Sequence, residues 1–271
     1  MRNLRHAPTL AACLAAVAVA ILPAALCAQV SVLSSTVEEQ VAAPGDHYTG
    51  SIVISNAGAA PAVVRIYKTD YSFQADGTSS FDPPGTNPRS NAAWITPQAS
   101  QVVVPAQSRV TVPYAVAVPA TDSLIGTYWS AVMVEAAPVR AAAGDTSSSV
   151  QIGSIMRYAV QVATHIGNTG TRTVAFSNPR ISRSDSAGAT LDVNLGDTGQ
   201  RAFRPTLWVE VYDASGVLKA KVKQVRGLLY PGTSLHQHFD LGTLPAGTYK
   251  AVVFADVGAS AVIATQYTVT F

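Results

Sequence analysis

The pair His236-x-His238 is the clearest opening for chemistry in this chain. Residues two apart on a strand share a face, so both imidazoles could approach one metal ion, with Asp240 as the nearest carboxylate. The ordinary alternative is two exposed strand histidines. Thiolate ligation of zinc or of an iron–sulfur cluster is excluded from the body of the chain, because both cysteines, Cys13 and Cys27, lie near the N-terminus. There is no Gly-x-Ser-x-Gly elbow, no phosphate-cradling glycine loop and no His-Glu-x-x-His, so no motif sets a nucleophile beside a base. Glu38-Glu39 is an acidic pair of the kind a glycosidase needs. Neighbouring strand residues point to opposite faces, however, and a solvated turn is the expected context. Trp94, Trp129 and Trp208 could form a sugar platform, but tryptophans borne on the strands of a sandwich are more often core. His47 and His165 sit in turn-like contexts. The expectation is a non-catalytic chain, not an enzyme, with no cofactor and no metal.

Short β-branched runs with period-two alternation, punctuated by Pro, Gly, Asn and Asp, must position these residues, and no stretch carries a sustained helical period. Strands are predicted near Val30–Leu33, Tyr48–Asn56, Ala62–Phe73, Ala93–Ile95, Gln101–Val104, Arg109–Val118, Thr127–Glu135 and Val150–Ile166. A second series follows at Thr173–Arg180, Thr190–Leu195, Pro205–Asp213, Leu218–Arg226, Ser234–Leu241, Thr248–Asp256 and Ala261–Phe271. Three motifs recur in the same order. Pro61 to Tyr67 answers Pro205 to Tyr212, Val104-Pro105-Ala106-Gln107-Ser108 answers Tyr230-Pro231-Gly232-Thr233-Ser234, and Gly126-Thr127-Tyr128 answers Gly247-Thr248-Tyr249. Tyr128 and Tyr249 look like corner tyrosines whose hydroxyls tie a crossover loop. The fold class is therefore all-β, two tandem immunoglobulin-like β-sandwich domains after a signal peptide. The boundaries are 1–28 for the signal peptide, 29–166 for the first sandwich and 167–271 for the second, joined by a short elbow with a cleft between them.

The leader assignment rests on Arg2 and Arg5, the apolar run Leu10 to Leu22 and the small residue Ala28 at the cleavage position. Such a run is too short to span a bilayer, so no transmembrane span is expected in the mature chain, which would be exported to the periplasm or the cell surface. Lipidation at Cys27 is a lesser alternative, since Leu26 stands where that processing takes a small residue. The 18 lysines and arginines against 16 acidic residues become balanced once Arg2 and Arg5 leave with the leader. Neither nucleic acid nor an anionic membrane surface is implied as a partner.

The run from Val150 to Ile166 carries Val150, Ile152, Met156, Tyr158, Val160, Val162 and Ile166 at even positions, and Gln151, Arg157, Gln161 and His165 at odd ones. One face is apolar over a length well beyond the usual strand. Such a strand is either an exposed edge able to capture another chain by strand addition, or a central, fully paired strand of the first sandwich. Two segments fit no tidy strand. Ser79 to Ala92 is rich in proline and reads as a rigid loop, and Ala136 to Ser149 is small and polar; each is a functional loop or a tolerated insertion.

Pro44-Gly45 followed by Ser51-Ile52-Val53-Ile54-Ser55-Asn56, Pro105-Ala106-Gln107-Ser108 leading into Arg109-Val110-Thr111-Val112, and the alternating strand from Val150 together resemble the periplasmic pilus-assembly chaperones. They resemble more loosely the exported PapD-like and WxL-interacting surface proteins. The resemblance covers most of Val30 to Ile166, and the second half in architecture only. It implies a periplasmic chaperone or assembly factor for exported protein subunits of the envelope or a surface fibre, capturing them with a strand that includes Ile152, Met156, Arg157, Tyr158, Val160 and Val162. The family anchors its subunit with a basic pair, one member on the first strand. Gln29 to Thr36 contains neither arginine nor lysine. Val160→Asp is expected to abolish capture and leave the chain folded. The alternative is an adhesion module that binds a protein or glycan through loops such as Phe81 to Ala92.

Overall fold

A computed structural model describes residues 30–136, 155–184, 188–258 and 261–270. The leader, Cys27, the segment 137–149, Val150 and Ile152 lie outside the described residues. All the named elements are strands. The first series is β1 (Val30–Val32), β2 (Val37–Ala42), β3 (His47–Asn56), β4 (Ala62–Phe73), β5 (Ser79–Asp82), β6 (Ile95–Pro97), β7 (Gln101–Val104), β8 (Ser108–Ala117), β9 (Gly126–Ala136) and β10 (Arg157–Ile166). The second is β11 (Val174–Ser184), β12 (Gly188–Asp197), β13 (Thr206–Asp213), β14 (Leu218–Val225), β15 (Ser234–Gly242), β16 (Thr248–Gly258) and β17 (Ala261–Thr270). Among the described residues no helix is long and apolar enough to cross a membrane.

The strands form two sandwiches. In the first, a sheet β1-β3-β8-β6 faces a sheet β2-β10-β9-β4-β5, with β7 beside the start of β4; in the second, β11-β12-β15 faces β14-β13-β16-β17. The two halves repeat one plan. The row β10-β9-β4-β5 corresponds to β17-β16-β13-β14, and β1-β3-β8 corresponds to β11-β12-β15. The three recurring motifs thus precede or open equivalent strands. Alternation builds each core. Ile52, Ile54, Val112 and Val116 meet Val64, Ile66, Val132, Val134, Val160 and Val162 in the first, and Leu191, Val193, Leu195 and Phe239 meet Leu207, Val209, Val253 and Ala255 in the second. Each such valine, leucine, isoleucine or phenylalanine contributes about 1.5–3 kcal/mol of hydrophobic stabilisation.

β2 was not expected. Its sequence Val-Glu-Glu-Gln-Val-Ala reads as a polar turn, yet it forms a strand parallel to β10. The chain leaves one sheet of the first sandwich and joins the other between Leu33 and Thr36. The Leu33 amide still donates to Val53 O at 2.8 Å, whereas the Val37 amide is satisfied by its neighbour Ser35 Oγ at 3.1 Å. The loop after β5 is also more firmly held than its proline content implies. Asn91 is fully buried and donates to Val162 O at 3.1 Å, while Ser130 Oγ donates to Asn91 Oδ1 at 2.6 Å.

A small apolar joint connects the sandwiches. Trp129 and Tyr230 stack with centroids 4.7 Å apart and an interplanar angle of 15°, and Ala163, Ala202 and Leu228 pack with them. The Tyr230 hydroxyl donates to Gln161 Oε1 at 2.8 Å, and Thr127 Oγ1 accepts the Ala202 amide at 2.9 Å. His165 Nδ1 lies 2.8 Å from the same Thr127 oxygen and its Nε2 lies 3.1 Å from Glu39 Oε2. A neutral imidazole with its proton on Nε2 satisfies both contacts. Glu39 also binds Arg204 across the joint. His165 is thus a buried strand residue, not a turn residue, and Glu39 is a structural anion.

Candidate functional site

β10 is the strand on which the expected capture residues fall, and its two edges are occupied unequally. Along its whole length it pairs antiparallel with β9, from Arg157 opposite Glu135 to Ile166 opposite Gly126. On the other side β2 covers only Gln161 to Ile166. The crossover from β1 explains the difference, since the chain reaches this sheet only at Val37. Among the described residues Arg157 to Val160 therefore have one partner strand, and the stretch without a second one continues into Ile155 and Met156, which are 46% and 44% exposed.

Strand stereochemistry says which backbone groups face outward. The Gln161 amide donates to Thr36 O at 2.9 Å, towards the β2 side, and Met156 O accepts the Ala136 amide at 3.2 Å, towards β9. Backbone groups alternate sides with period two in such a ladder. The N–H and C=O of Arg157 and Ala159 thus point to the open edge, while those of Tyr158 and Val160 point to β9. An added strand would lie end to end with β2.

Side chains are divided differently. Val160 and Val162 are fully buried between the sheets, so Val160→Asp would place an uncompensated charge in the core and cannot leave the fold intact. Tyr158 is half-buried and its hydroxyl donates to Val30 O at 3.0 Å, tying the two sheets at the mouth of the sandwich. Arg157 points to the opposite, outer face. Its Nε lies 2.6 Å from Glu135 Oε2, and Arg65 Nη1 approaches Glu135 Oε1 at 3.3 Å from the other flank. The Tyr67 hydroxyl also donates to Glu135 at 2.8 Å. The tyrosine hydrogen bond, then the two arginines, hold the Glu135 carboxyl below the usual range despite its desolvation. The strand itself is shorter than its alternation predicts, beginning at Arg157; Ile155 and Met156 are not part of it.

The other sequence candidates are dispersed. His236 and His238 share a face of β15, but both approach the single oxygen Asp192 Oδ1, at 3.0 and 2.8 Å. Among the described residues no group of three or more His, Cys, Asp or Glu could hold a metal ion. Trp129 is core to the joint, whereas Trp208 lies half-exposed on the outer face of its sheet, stacked on Phe254 at 4.8 Å. Trp94 packs on Tyr128 at 4.9 Å. Tyr249 is a corner tyrosine, its hydroxyl donating to Pro245 O at 2.8 Å. Phe81, 46% exposed, stacks on Tyr71 at 5.2 Å at the start of the proline-rich loop. The open edge itself had no signal in side-chain alternation, because it depends on where β2 starts.

The chain matches no protein-family model and no curated protein. Solved structures similar to it include a chain of a chaperone–tip adhesin complex of CFA/I fimbriae biogenesis, 12% identical, covering 88% of this chain and 98% of that one with a TM-score of 0.47. Another belongs to the CsuC–CsuE chaperone–tip adhesion subunit pre-assembly complex of Acinetobacter baumannii Csu pili, at 13% identity, 87% and 97% coverage and a TM-score of 0.44. A third comes from the Salmonella enterica SafA pilin in complex with the SafB chaperone, at 11% identity, 89% and 96% coverage and a TM-score of 0.39. At these values the strand order and pairing of the chain itself define its fold.

Proposed function

We propose that this chain is a non-catalytic, exported assembly factor that captures a protein subunit of the envelope or of a surface fibre by adding a strand of that subunit to the open edge of β10. The two sandwiches, 29–166 and 167–271, form a rigid elbow beside it. The observation that carries the reading is the half-occupied edge: β2 begins opposite Gln161, and among the described residues Arg157 and Ala159 are left with outward donors and acceptors in line with the ladder that β2 forms. Main-chain bonds of this kind supply affinity without sequence identity between partners. Exposed Ile155 and Met156 extend the contact with apolar side chains.

The discriminating variant is Ala159→Pro. Proline removes an outward N–H and is tolerated where a strand's donor faces solvent. The variant is expected to remain folded and to lose the exported β-rich subunit that the wild-type chain retains in a pull-down from the envelope fraction of its host. Retention of the same subunit by the folded Ala159→Pro variant would refute capture at this edge. Loss only on shortening the loop Phe81 to Ala92 would favour the adhesion reading.

A further inference from the structure

Between the sandwiches, on the side of β4 and β5, lies a cleft of about 720 Å³ whose wall includes Asp70, Asp82, Arg89, Trp129, Asp197 and Gly199. Its wall carries three carboxylates and one guanidinium. Among the described residues, none of Asp70, Asp82 and Asp197 has a cationic side chain within ion-pair distance, and Arg89 gives its Nη1 to the carbonyls of Ile125 and Thr127, at 2.8 and 3.4 Å. Asp70 is internally satisfied by the Asn87 amide at 2.6 Å and by Ser90 Oγ. Asp82 Oδ2 accepts only the Ser80 hydroxyl, at 2.8 Å, on the exposed rim.

Asp197 is different. Its residue is 2% exposed, Oδ1 accepts the Gly199 amide at 2.7 Å, and Oδ2 is buried with no hydrogen-bond partner among the described residues. Buried polar atoms are nearly always paired, so one left unpaired on a residue of the cleft wall points to a group brought from outside. Burial also raises the Asp197 carboxyl to about 7, with the Gly199 amide and the Arg89 charge opposing that rise only in part. Ionised, this carboxylate feels Arg89 only at a distance, with no cation in ion-pair contact among the described residues.

We infer that the cleft is a binding site for a cationic side chain, lysine or arginine, of an incoming polypeptide, with Asp197 as its counter-ion and Asp70 and Asp82 as the surrounding negative field. A cleft of this size holds an extended segment of a few residues, and a wall with three aspartates to one arginine, Arg89, carries a net negative field that concentrates the complementary charge. The inference does not rest on strand capture at β10.

The test uses N-acetyl-lysine methylamide and N-acetyl-arginine methylamide, with N-acetyl-glutamine methylamide as neutral control, titrated at about pH 8 where Asp197 is ionised. Amide shifts of Gly199 and Gly232 report on the cleft. Saturable shifts with both cationic probes and none with the neutral one are expected, and Asp197→Asn, which keeps an acceptor for Gly199, should weaken binding about tenfold. Asp82→Asn, on the exposed rim, should weaken it a few-fold, about twofold to fivefold, and guards against misfolding of the buried variant. Ala159→Pro should bind the probes as the wild type does. Absence of binding, equal shifts with the neutral probe, or unchanged binding in both aspartate variants would overturn the inference.

Discussion

At the scale of single residues, the most consequential group is Asp197. An unfolded aspartate titrates near its ordinary value of 3.8, whereas burial holds this one at about 7 in the folded chain. Below the lower value both states are protonated and the group is neutral to stability. Between the two, the unfolded chain releases a proton that the folded chain keeps, so stability falls as pH rises, and above about 7 the penalty is complete. Asp197→Asn is therefore expected to match the wild type near pH 4 and to exceed it at pH 8 by on the order of 2–4 kcal/mol, as read by chemical denaturation across that range. Glu39 works in the opposite sense. The His165 hydrogen bond, with Arg204 beyond it, lowers its carboxyl against the effect of burial, so its contribution is present above the ordinary carboxylate range and lost as pH falls below it. Neither role was legible in the sequence. Glu38-Glu39 reads as a turn because two adjacent charges look solvated, and His165 reads as a turn residue because Gly167, Asn168 and Gly170 follow it. Both assignments depend on long-range pairing: Glu39 lies on a strand because β10 offers it an edge, and its side chain meets His165 and Arg204, while His165 also meets Thr127.

At the scale of elements, strands with clean alternation were legible to within a few residues at each end. β3, β4, β8, β9 and all seven strands of the second sandwich fall where β-branched runs and turn residues place them. The failures have a common cause. β2 and β5 are short and polar, and they exist because a neighbouring strand offers them an edge. The open part of β10 is defined by the same effect in reverse, through the point at which β2 begins. The strand itself also separates two variants. Val160→Asp should lose about 3–5 kcal/mol through burial of an unpaired charge, while Ala159→Pro should change stability by no more than about 1 kcal/mol; thermal unfolding of the purified variants distinguishes them. Other long edges differ in their protection. β14 carries Lys219, Lys221 and Lys223, which discourage strand addition, whereas β17 carries no charged residue.

At the scale of the whole molecule, two copies of one plan are held at a fixed joint, and the joint governs how the β10 edge and the acidic cleft are presented together. Gly126 is central to it. It lies at φ +78°, and a Cβ there would stand 1.9 Å from Gln200 O. Gly126→Ala is expected to cost more than about 1–2 kcal/mol in backbone conformation alone, and the collision with the second sandwich adds to that. Tyr230→Ala removes the stack on Trp129 and the bond to Gln161, and should cost about 3–5 kcal/mol, with calorimetry resolving two unfolding transitions in place of one if the sandwiches come apart. Repetition was legible in the three recurring motifs. The joint was not, since Trp129 and Tyr230 are separated by most of the second half of the chain and carry no shared pattern.

The central claim is that β10 has an open edge from Arg157 to Val160, set to receive a strand, and backbone hydrogen exchange of the free chain tests it most directly. The amides of Arg157 and Ala159 should exchange rapidly while those of Tyr158 and Val160, bonded to β9, and of Gln161, bonded to Thr36, exchange slowly. Addition of the captured subunit should then protect Arg157 and Ala159. Slow exchange at Ala159 in the free chain, or protection that arises on β17 and leaves β10 unchanged, would contradict the account.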